Sequence, residues 1–237
     1  MVELIWTIPI FPLIGAALML LLGRRLPKAA INAICVGSVF TSFLVSAGAV
    51  AQNHGGSHEV VLFEWLPLVR AEFGYLLDPL SSVMILVITG IGTLIHLYST
   101  GYMAHEGGYY RFFGYLNLFV FFMLTLVLAN NYALLFVGWE GVGLCSYLLI
   151  GFYFHKKSAG DAGKKAFIVN RVGDWGFVLG MFLVWTVLGT VKFTELPAAA
   201  HHHPVETSFG VLSLTALLLF IGATGKSAQF PLYVWLP

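Results

Sequence analysis

Residues 112–154 read FFGYLNLFVFFMLTLVLANNYALLFVGWEGVGLCSYLLIGFYF, and this stretch decides the class of fold. Its only charged side chain is Glu140. The stretch is about twice as long as the roughly 20 apolar residues that one helix needs to cross a bilayer. The Asn130-Asn131 pair near its middle has the chemistry of a turn. The stretch therefore predicts two consecutive membrane-spanning helices, with Glu140 inside the second.

The composition of the whole chain agrees with a lipid environment. Of its 237 residues, 59% are hydrophobic and only 10% are charged, and the mean hydropathy is +0.87. About 25% of an average soluble domain is charged, which excludes a typical water-soluble protein. With 12 basic and 11 acidic residues, the chain has no basic excess that would attract nucleic acid. Cys35 and Cys145 lie in separate apolar runs, so we expect small core residues and no disulfide framework or metal site.

Apolar runs long enough for a membrane span occur seven times along the chain. They are 4–22, 29–51, 79 to about 98, 112–129, 132–154, about 162–188, and about 209 to the end. Segment 59–77 is broken by charges, Pro67 and Gly74 and alternates in part, which predicts a short extramembrane β-hairpin. We therefore expect an all-α polytopic membrane protein with about seven transmembrane helices. Its predicted divisions are 1–58 (two spans), 59–77 (hairpin), 78–111 (third span and loop) and 112–237 (the remaining spans).

The basic residues are distributed unevenly between the two sets of loops. The loops after the first, third and fifth spans hold eight of them: Arg24, Arg25, Lys28, Arg111, Lys156, Lys157, Lys164 and Lys165. The loops after the second and sixth spans hold only Arg70 and Lys192. Because cytoplasmic loops carry the excess of lysine and arginine, the N-terminus is predicted to face outside.

Glu140 is the first charged residue that lies within a predicted membrane span, where an ionised side chain has a high free-energy cost. It lies eight residues beyond Tyr132, or roughly 12 Å into the membrane. Gly138, Gly141 and Gly143 surround it and would let another helix approach closely. Burial raises the pKa of a carboxyl group and a neighbouring ammonium lowers it, so a movable cation can make the group take up and release a proton. This pattern is typical of a proton relay, and a static buried ion pair is the alternative.

Three further charges lie within the predicted spans. Arg171 and Asp174 are three residues apart and can pair on one helix face, in either a structural or a functional role. Lys226 precedes Pro231, which removes an amide donor and crowds the carbonyl of Ser227, so we expect the helix to break beside the lysine. Transporters place ion sites at such breaks. Lys226 is therefore a candidate proton site, and a lysine that snorkels at a helix end is the alternative.

The histidines point to no cofactor. His96 lies near the inner end of the third span, and no second histidine lies deep in any span, so we expect no haem. We interpret His96 as an interfacial hydrogen-bonding group. Residues 198–203 include three adjacent histidines, but adjacency is not the spacing of a formed metal site, and we expect a loop there.

Four stretches resemble one family of membrane proteins, the antiporter-like subunit L of respiratory complex I, whose mitochondrial counterpart is NADH dehydrogenase subunit 5. They are 101–113, 135–152 with its Trp139-Glu140 motif, 165–174, and 225–229 before Pro231. The resemblance runs over nearly the whole chain.

The resemblance implies a proton-translocating subunit of NADH-quinone oxidoreductase that is driven by quinone chemistry elsewhere in the complex. In this family the glutamate of the Trp-Glu motif and the lysine of the Gly-Lys-Ser motif form a proton relay, which here means Glu140 and Lys226. Asp174, with Arg171, would modulate that pair. The resemblance also implies that the seventh helix is discontinuous and that residues 112–237 begin a five-helix inverted repeat. Candidates for proton access from the inner side are His96, Lys164 and Lys165.

The same resemblance implies partners and a location. This chain would carry no cofactor, while flavin, iron–sulfur clusters and quinone belong to partner subunits, and its neighbours would be other membrane subunits, especially the adjacent antiporter-like one. The membrane would be the bacterial plasma membrane, or the inner mitochondrial membrane in a eukaryote. Because the family continues well beyond position 237, we expect an N-terminal fragment that does not pump alone.

Three other functions are compatible with part of this pattern. The large subunit of a multisubunit sodium/proton antiporter shares the Trp-Glu and Gly-Lys motifs, although the sequence of residues 141–147 is more similar to complex I. A seven-helix receptor has the same topology, but the buried charges favour ion handling. A non-pumping structural fragment is the third alternative.

Overall fold

The computed structural model of the protein describes residues 1–236. Its helices are α1 (Thr7–Leu22), α2 (Lys28–Asn53), α3 (Pro79–Tyr102), α4 (Tyr109–Leu128), α5 (Tyr132–Ile150), α6 (Lys157–Leu188), α7 (Leu196–His201) and α8 (Val211–Lys226). Strands β1 (His58–Leu66) and β2 (Ala71–Leu77) pair as a two-stranded hairpin. Within these residues, six helices are long and apolar enough to cross a membrane, and α8 is a shorter apolar helix. The predicted fold class and the hairpin are therefore confirmed.

Helix α6 begins earlier than the sequence predicts, at Lys157 instead of about residue 162. Lys164 and Lys165, which were expected in the loop after the fifth span, lie within the helix. At 1.5 Å per residue, the 32 residues of α6 measure roughly 48 Å, well beyond a hydrocarbon core of about 30 Å. The first turns of α6 can therefore lie outside the hydrocarbon, where lysines are tolerated. The point at which the apolar run begins is consequently not the point at which the helix begins.

Three other boundaries differ from the sequence prediction. Helix α4 begins at Tyr109, so Arg111 lies in its first turn, and α5 ends at Ile150 instead of residue 154. Residues 196–201 form the short helix α7, whereas a loop was expected at 198–203. Pro197 in the first turn and the three alanines that follow explain this helix, because proline is tolerated there and alanine is the best helix former.

Local chemistry fixes where α3 begins. The Asp78 side chain accepts a hydrogen bond from the backbone N–H of Ser81, and the Ser81 hydroxyl accepts one from the backbone N–H of Asp78, both at 2.7 Å. Pro79 occupies the first turn of the helix, where its missing N–H costs nothing. This reciprocal cap separates the hairpin from the membrane-spanning part of α3.

The chain divides into two compact units. The first consists of Met1–Leu62, Gly74–Ala129 and Leu134–Cys145. Within it, α1 packs against α2 and α4, and α3 packs against α2 and α4. Polar side chains join these helices: the Ser38 hydroxyl donates to Asn117 Oδ1, and the Ser42 hydroxyl donates to the carbonyl of Ile8, both at 2.7 Å. Such bonds are a usual means of holding membrane helices together.

The second unit consists of Phe63–Phe73, Asn130–Ala133 and the chain from Ser146 onward. Within it, α6 packs along α8. The Lys192 ammonium lies 2.7 Å from Glu72 Oε1, and the Asn131 side chain donates to the carbonyl of Glu72 at 2.7 Å. The hairpin strand β2, the turn before α5 and the segment after α6 therefore meet at one polar junction.

Candidate functional site

A buried carboxylate with two cations is the main charged cluster in the second unit. The Asp174 side chain is only 3% exposed; its Oδ1 atom lies 3.7 Å from Lys226 Nζ, and its Oδ2 atom lies 3.8 Å from Arg171 Nη1. Both separations are longer than an ordinary N–O hydrogen bond, which reaches about 3.2 Å. Both ion pairs therefore lie within the range of Coulombic attraction, at distances longer than a direct hydrogen bond.

The helical spacing explains one pair, because Arg171 and Asp174 are three residues apart and share one face of α6. The other pair depends on how α8 crosses α6. A Cβ atom built on Gly173 would lie 3.1 Å from the Cα atom of Gly225. Both glycines are direct chain neighbours of a charged residue, so this backbone approach brings Lys226 to Asp174.

The same close packing continues along the two helices. A Cβ atom on Gly180 would lie 2.9 Å from Leu219 Cγ, and one on Gly222 would lie 2.7 Å from Phe177 Cβ. Small residues at these positions let two membrane helices approach closely over several turns. The position of Lys226 is therefore set by an extended interface and not by a single contact.

Helix α8 ends at Lys226, five residues before Pro231. The chain that follows satisfies the carbonyls of the last turn: the N–H of Ser227 donates to Ala223 at 3.0 Å, and the indole N–H of Trp235 donates to Gly225 at 2.9 Å. Pro231 itself precedes a short 3-10 turn, Leu232–Trp235. The lysine therefore lies at a helix C-terminus, where the partial negative charge of the helix dipole favours a cation.

The other end of α8 is held by Glu206. Its carboxylate accepts hydrogen bonds from the Ser213 hydroxyl at 2.6 Å, the Ser213 N–H at 2.9 Å and the Leu212 N–H at 2.8 Å. These bonds, with that of the Ser213 hydroxyl the strongest, hold the pKa of Glu206 below its ordinary value. Sequence reasoning did not identify this cap, because Glu206 precedes the helix by several residues.

Glu140 belongs to the first unit, on α5. Its side chain is half-buried. A Cβ atom on Gly138 would lie 2.5 Å from the backbone nitrogen of Leu126, and one on Gly141 would overlap the ring of Phe122. Helix α4 therefore passes close to the glutamate-bearing segment of α5, as the glycines around Glu140 predict.

The three residues expected to give proton access lie in different surroundings. His96 is fully buried in α3; its Nδ1 atom lies 2.7 Å from the carbonyl of Gly92, and its ring centroid lies 6.3 Å from that of Phe113. It is thus a hydrogen-bonding group, as predicted, but it bonds to its own helix. Lys164 and Lys165 are exposed on the early turns of α6.

Asn170 is a residue of the site that sequence reasoning missed. It lies one helical turn before Asp174, and its side-chain N–H donates to the carbonyl of Ala166 at 2.8 Å. Its Oδ1 atom is buried and has no hydrogen-bond partner among the residues that the structure describes. Its spacing of four residues from Asp174 places it on the same face of α6, but this spacing becomes informative only once the burial of Asp174 is known.

Together, these side chains place two cations, Arg171 and Lys226, beside one buried carboxylate, Asp174. Arg171 shares a helix with Asp174, whereas Lys226 comes from the end of α8. Within residues 1–236, no group of three or more His, Cys, Asp or Glu side chains could hold a metal ion.

Two family models match the chain. One, described as "NADH:quinone oxidoreductase/Mrp antiporter, TM", matches residues 129–237. The other, described as "NADH-Ubiquinone oxidoreductase (complex I), chain 5 N-terminus", matches residues 65–113. The first match contains every residue of the Arg171–Asp174–Lys226 cluster and Glu140 as well.

Curated relatives and a solved structure agree with these matches. The chain is 45% identical to NADH-quinone oxidoreductase subunit L of Mycobacterium tuberculosis, over 98% of this chain and 37% of that protein. It is 39% identical to NAD(P)H-quinone oxidoreductase chain 5 of Synechocystis, over 99% of this chain and 36% of that protein. A structure of the Mrp complex from a Dietzia species aligns with a TM-score of 0.84 at 26% identity, over 98% of this chain and 25% of that chain. The chain thus spans little more than a third of the length of these curated relatives.

Proposed function

Because the chain belongs to the family of membrane subunits shared by NADH:quinone oxidoreductase and Mrp antiporters, we propose that it is part of a proton-translocating subunit. The whole protein would act in an NADH-quinone oxidoreductase, an enzyme complex that couples quinone reduction elsewhere to proton transfer through this subunit. The observation that carries the proposal is the buried Asp174 carboxylate, paired with an ammonium at the end of α8.

In the proposed mechanism, Glu140 and Lys226 are the proton-exchanging groups. A movable cation beside a buried carboxyl group lets that group take up and release a proton, and this is the role proposed for Lys226 toward Glu140. Asp174 competes for the same ammonium, and Arg171 stabilises the aspartate when the ammonium leaves. The two ion-pair distances, 3.7 and 3.8 Å, support this role because neither pair is locked by a short bond.

We further propose that His96, Lys164 and Lys165 provide proton access from the inner side. The exposed lysines would act through their charge at the start of α6, whereas His96 would act as a buried relay group. Replacing each in turn and measuring pumping per NADH oxidised would separate these roles. Full pumping in all three variants would exclude them.

The proposed setting is a bacterial plasma membrane, with the N-terminus outside and other antiporter-like membrane subunits as neighbours. Flavin, iron–sulfur clusters and quinone would be bound by those partners. Purification of the native protein from its own membranes in gentle detergent tests this setting. Co-purification of NADH dehydrogenase activity, flavin and iron–sulfur clusters is expected, and their absence would contradict it.

The decisive experiment for the function is Glu140→Gln in the intact complex. Glutamine preserves the size of the side chain but cannot exchange a proton. We therefore expect NADH oxidation to continue while proton pumping is abolished. Glu64→Gln, on the exposed strand β1, is the matched control and should pump normally. Full pumping stoichiometry in Glu140→Gln would show that the assigned role is wrong.

A second candidate is the large subunit of a multisubunit sodium/proton antiporter, favoured by the similarity to the Mrp complex structure. Transport measurements on the native membranes would distinguish the antiporter from the oxidoreductase. Sodium-dependent proton exchange without NADH would favour the antiporter, whereas proton transfer that requires NADH oxidation favours the oxidoreductase.

A further inference from the structure

Basic side chains from two separate segments meet at one end of the first unit. The turn that carries Arg24 and Arg25 packs against the start of α4, where a Cβ atom on Gly23 would lie 2.8 Å from Tyr110 Cβ. Lys28 donates from its ammonium to the carbonyl of Ala104, in the loop that leads into α4. Arg111 lies in the first turn of the same helix. We define the basic end as Arg24, Arg25, Lys28 and Arg111.

The charge of the basic end is poorly balanced. The turn between α1 and α2 and the loop between α3 and α4 contain a single acidic residue, Glu106, which is exposed. Arg24 and Arg25 are also exposed, and the structure gives them no hydrogen bond or ion pair with any described residue. Arg24 and Arg25, which follow each other in the chain, are therefore available to an external anion, whereas Lys28 already donates to the carbonyl of Ala104.

The surface next to these arginines is apolar. Leu20, Leu21 and Leu22, at the end of α1, are 45, 80 and 47% exposed. They lie within about one helical turn of the arginines, at the end of a helix that is apolar enough to cross a membrane. A ligand that fits both features has an anionic head and a hydrocarbon chain.

We propose that the basic end binds the phosphate headgroup of an anionic phospholipid, whose acyl chain lies along the leucines of α1. Guanidinium groups bind phosphate oxygens through paired hydrogen bonds, which a general attraction to the membrane surface does not require. Basic pockets between membrane helices are known to bind anionic lipid headgroups. This binding needs only the membrane location of the chain and does not depend on the proposed pumping function.

Titration of fluorescent phosphatidylglycerol into the delipidated full-length protein, purified with its accompanying subunits, tests the site. Arg24→Gln combined with Arg25→Gln should weaken binding about thirty-fold, since each basic residue near an anionic lipid contributes roughly five-fold. Arg24→Lys with Arg25→Lys keeps the charge but loses the paired geometry, and should lie between that variant and the wild type. Circular dichroism verifies that both variants are folded.

The matched control is Lys156→Gln combined with Lys157→Gln, two adjacent exposed cations at the start of α6. This pair should leave the binding of phosphatidylglycerol at the basic end unchanged. Equal weakening by the control would show diffuse attraction and overturn the proposal, as would equal binding of phosphatidylcholine. Displacement of the lipid by millimolar inorganic phosphate would identify a free-phosphate site instead, and would also overturn it.

Discussion

The Cα atoms of Gly173 and Gly225 face each other so closely that a Cβ atom on Gly225 would lie 3.2 Å from Gly173 Cα. Each glycine is followed directly by a member of the central ion pair, Asp174 or Lys226. The helix crossing and the charge pair are consequently one structural feature. A change that separates the helices should alter the electrostatics of the site even though it removes no charge.

Gly225→Ala tests this coupling. The added methyl group meets backbone, which cannot rotate away, so we expect a destabilisation of about 1–3 kcal/mol and a loss of pumping. The apparent unfolding temperature in detergent and pumping per NADH oxidised are the measurements. Gly160→Ala is the matched control, because no atom lies within 4 Å of a Cβ there and alanine favours the helix. Equal losses in the two variants would contradict a specific role for the crossing.

Asp174→Asn tests the ion pairs themselves. The amide has the shape of the carboxylate but no charge, which leaves a mostly buried ammonium without its counterion. Breaking a buried pair in this way costs about 3–5 kcal/mol, and Lys226→Gln in the same chain should restore part of the loss. A double-mutant cycle on unfolding measures the coupling. The control is Asp161→Asn, exposed near the start of α6, and strictly additive effects would exclude a direct pair.

The existence of the spans could be predicted because lipid imposes a single requirement, an uncharged run of about 20 residues. The start of α6 could not be predicted in this way, because its first turns lie outside the apolar run and contain lysines. The sequence predicts a break beside Lys226, and α8 ends there, but the donor that Trp235 supplies to the carbonyl of Gly225 was not predicted. That donor comes from ten residues away, and no local pattern reveals it.

The charged residues of the site could be identified individually, because each is costly within a membrane. The Arg171–Asp174 pair followed from helical spacing alone. The contact between Asp174 and Lys226 depends on the crossing of α6 and α8, which is tertiary information. Asn170 was missed for a related reason, since an uncharged amide in a helix gives no signal until its buried neighbours are known.

The Glu72–Lys192 pair provides a third test, outside the membrane-spanning segments. Its atoms are 2.7 Å apart, and the two side chains are only 25 and 18% exposed. Glu72→Gln should therefore lower the free energy of unfolding by about 1–3 kcal/mol, as expected for a hydrogen bond to a charged group. Glu3→Gln is the control, because its pair with His58 is formed by a carboxylate that is 80% exposed and should contribute about 0–1 kcal/mol. Similar changes in the apparent unfolding temperature of the two variants would contradict the difference in burial.

The cap formed by Glu206 predicts a pH dependence of stability. Because hydrogen bonds from Ser213 and Leu212 hold its pKa below the ordinary 4.5, the charged cap stabilises the folded state fully above that value. The contribution is lost as the pH falls through the lower, folded-state pKa. Glu206→Gln should therefore unfold at a lower temperature than the wild type near neutral pH.

The difference between Glu206→Gln and the wild type should disappear on acidification, since a protonated glutamate resembles glutamine in charge and shape. Unfolding temperatures measured from about pH 6 to about pH 3 span the ordinary range of a carboxyl group and would show this convergence. Ser213→Ala removes the hydroxyl that donates to the carboxylate and so brings the folded-state pKa of Glu206 closer to its ordinary value; convergence should therefore be complete at a higher pH in that background. A constant difference at every pH would mean that α8 does not depend on the charge of Glu206.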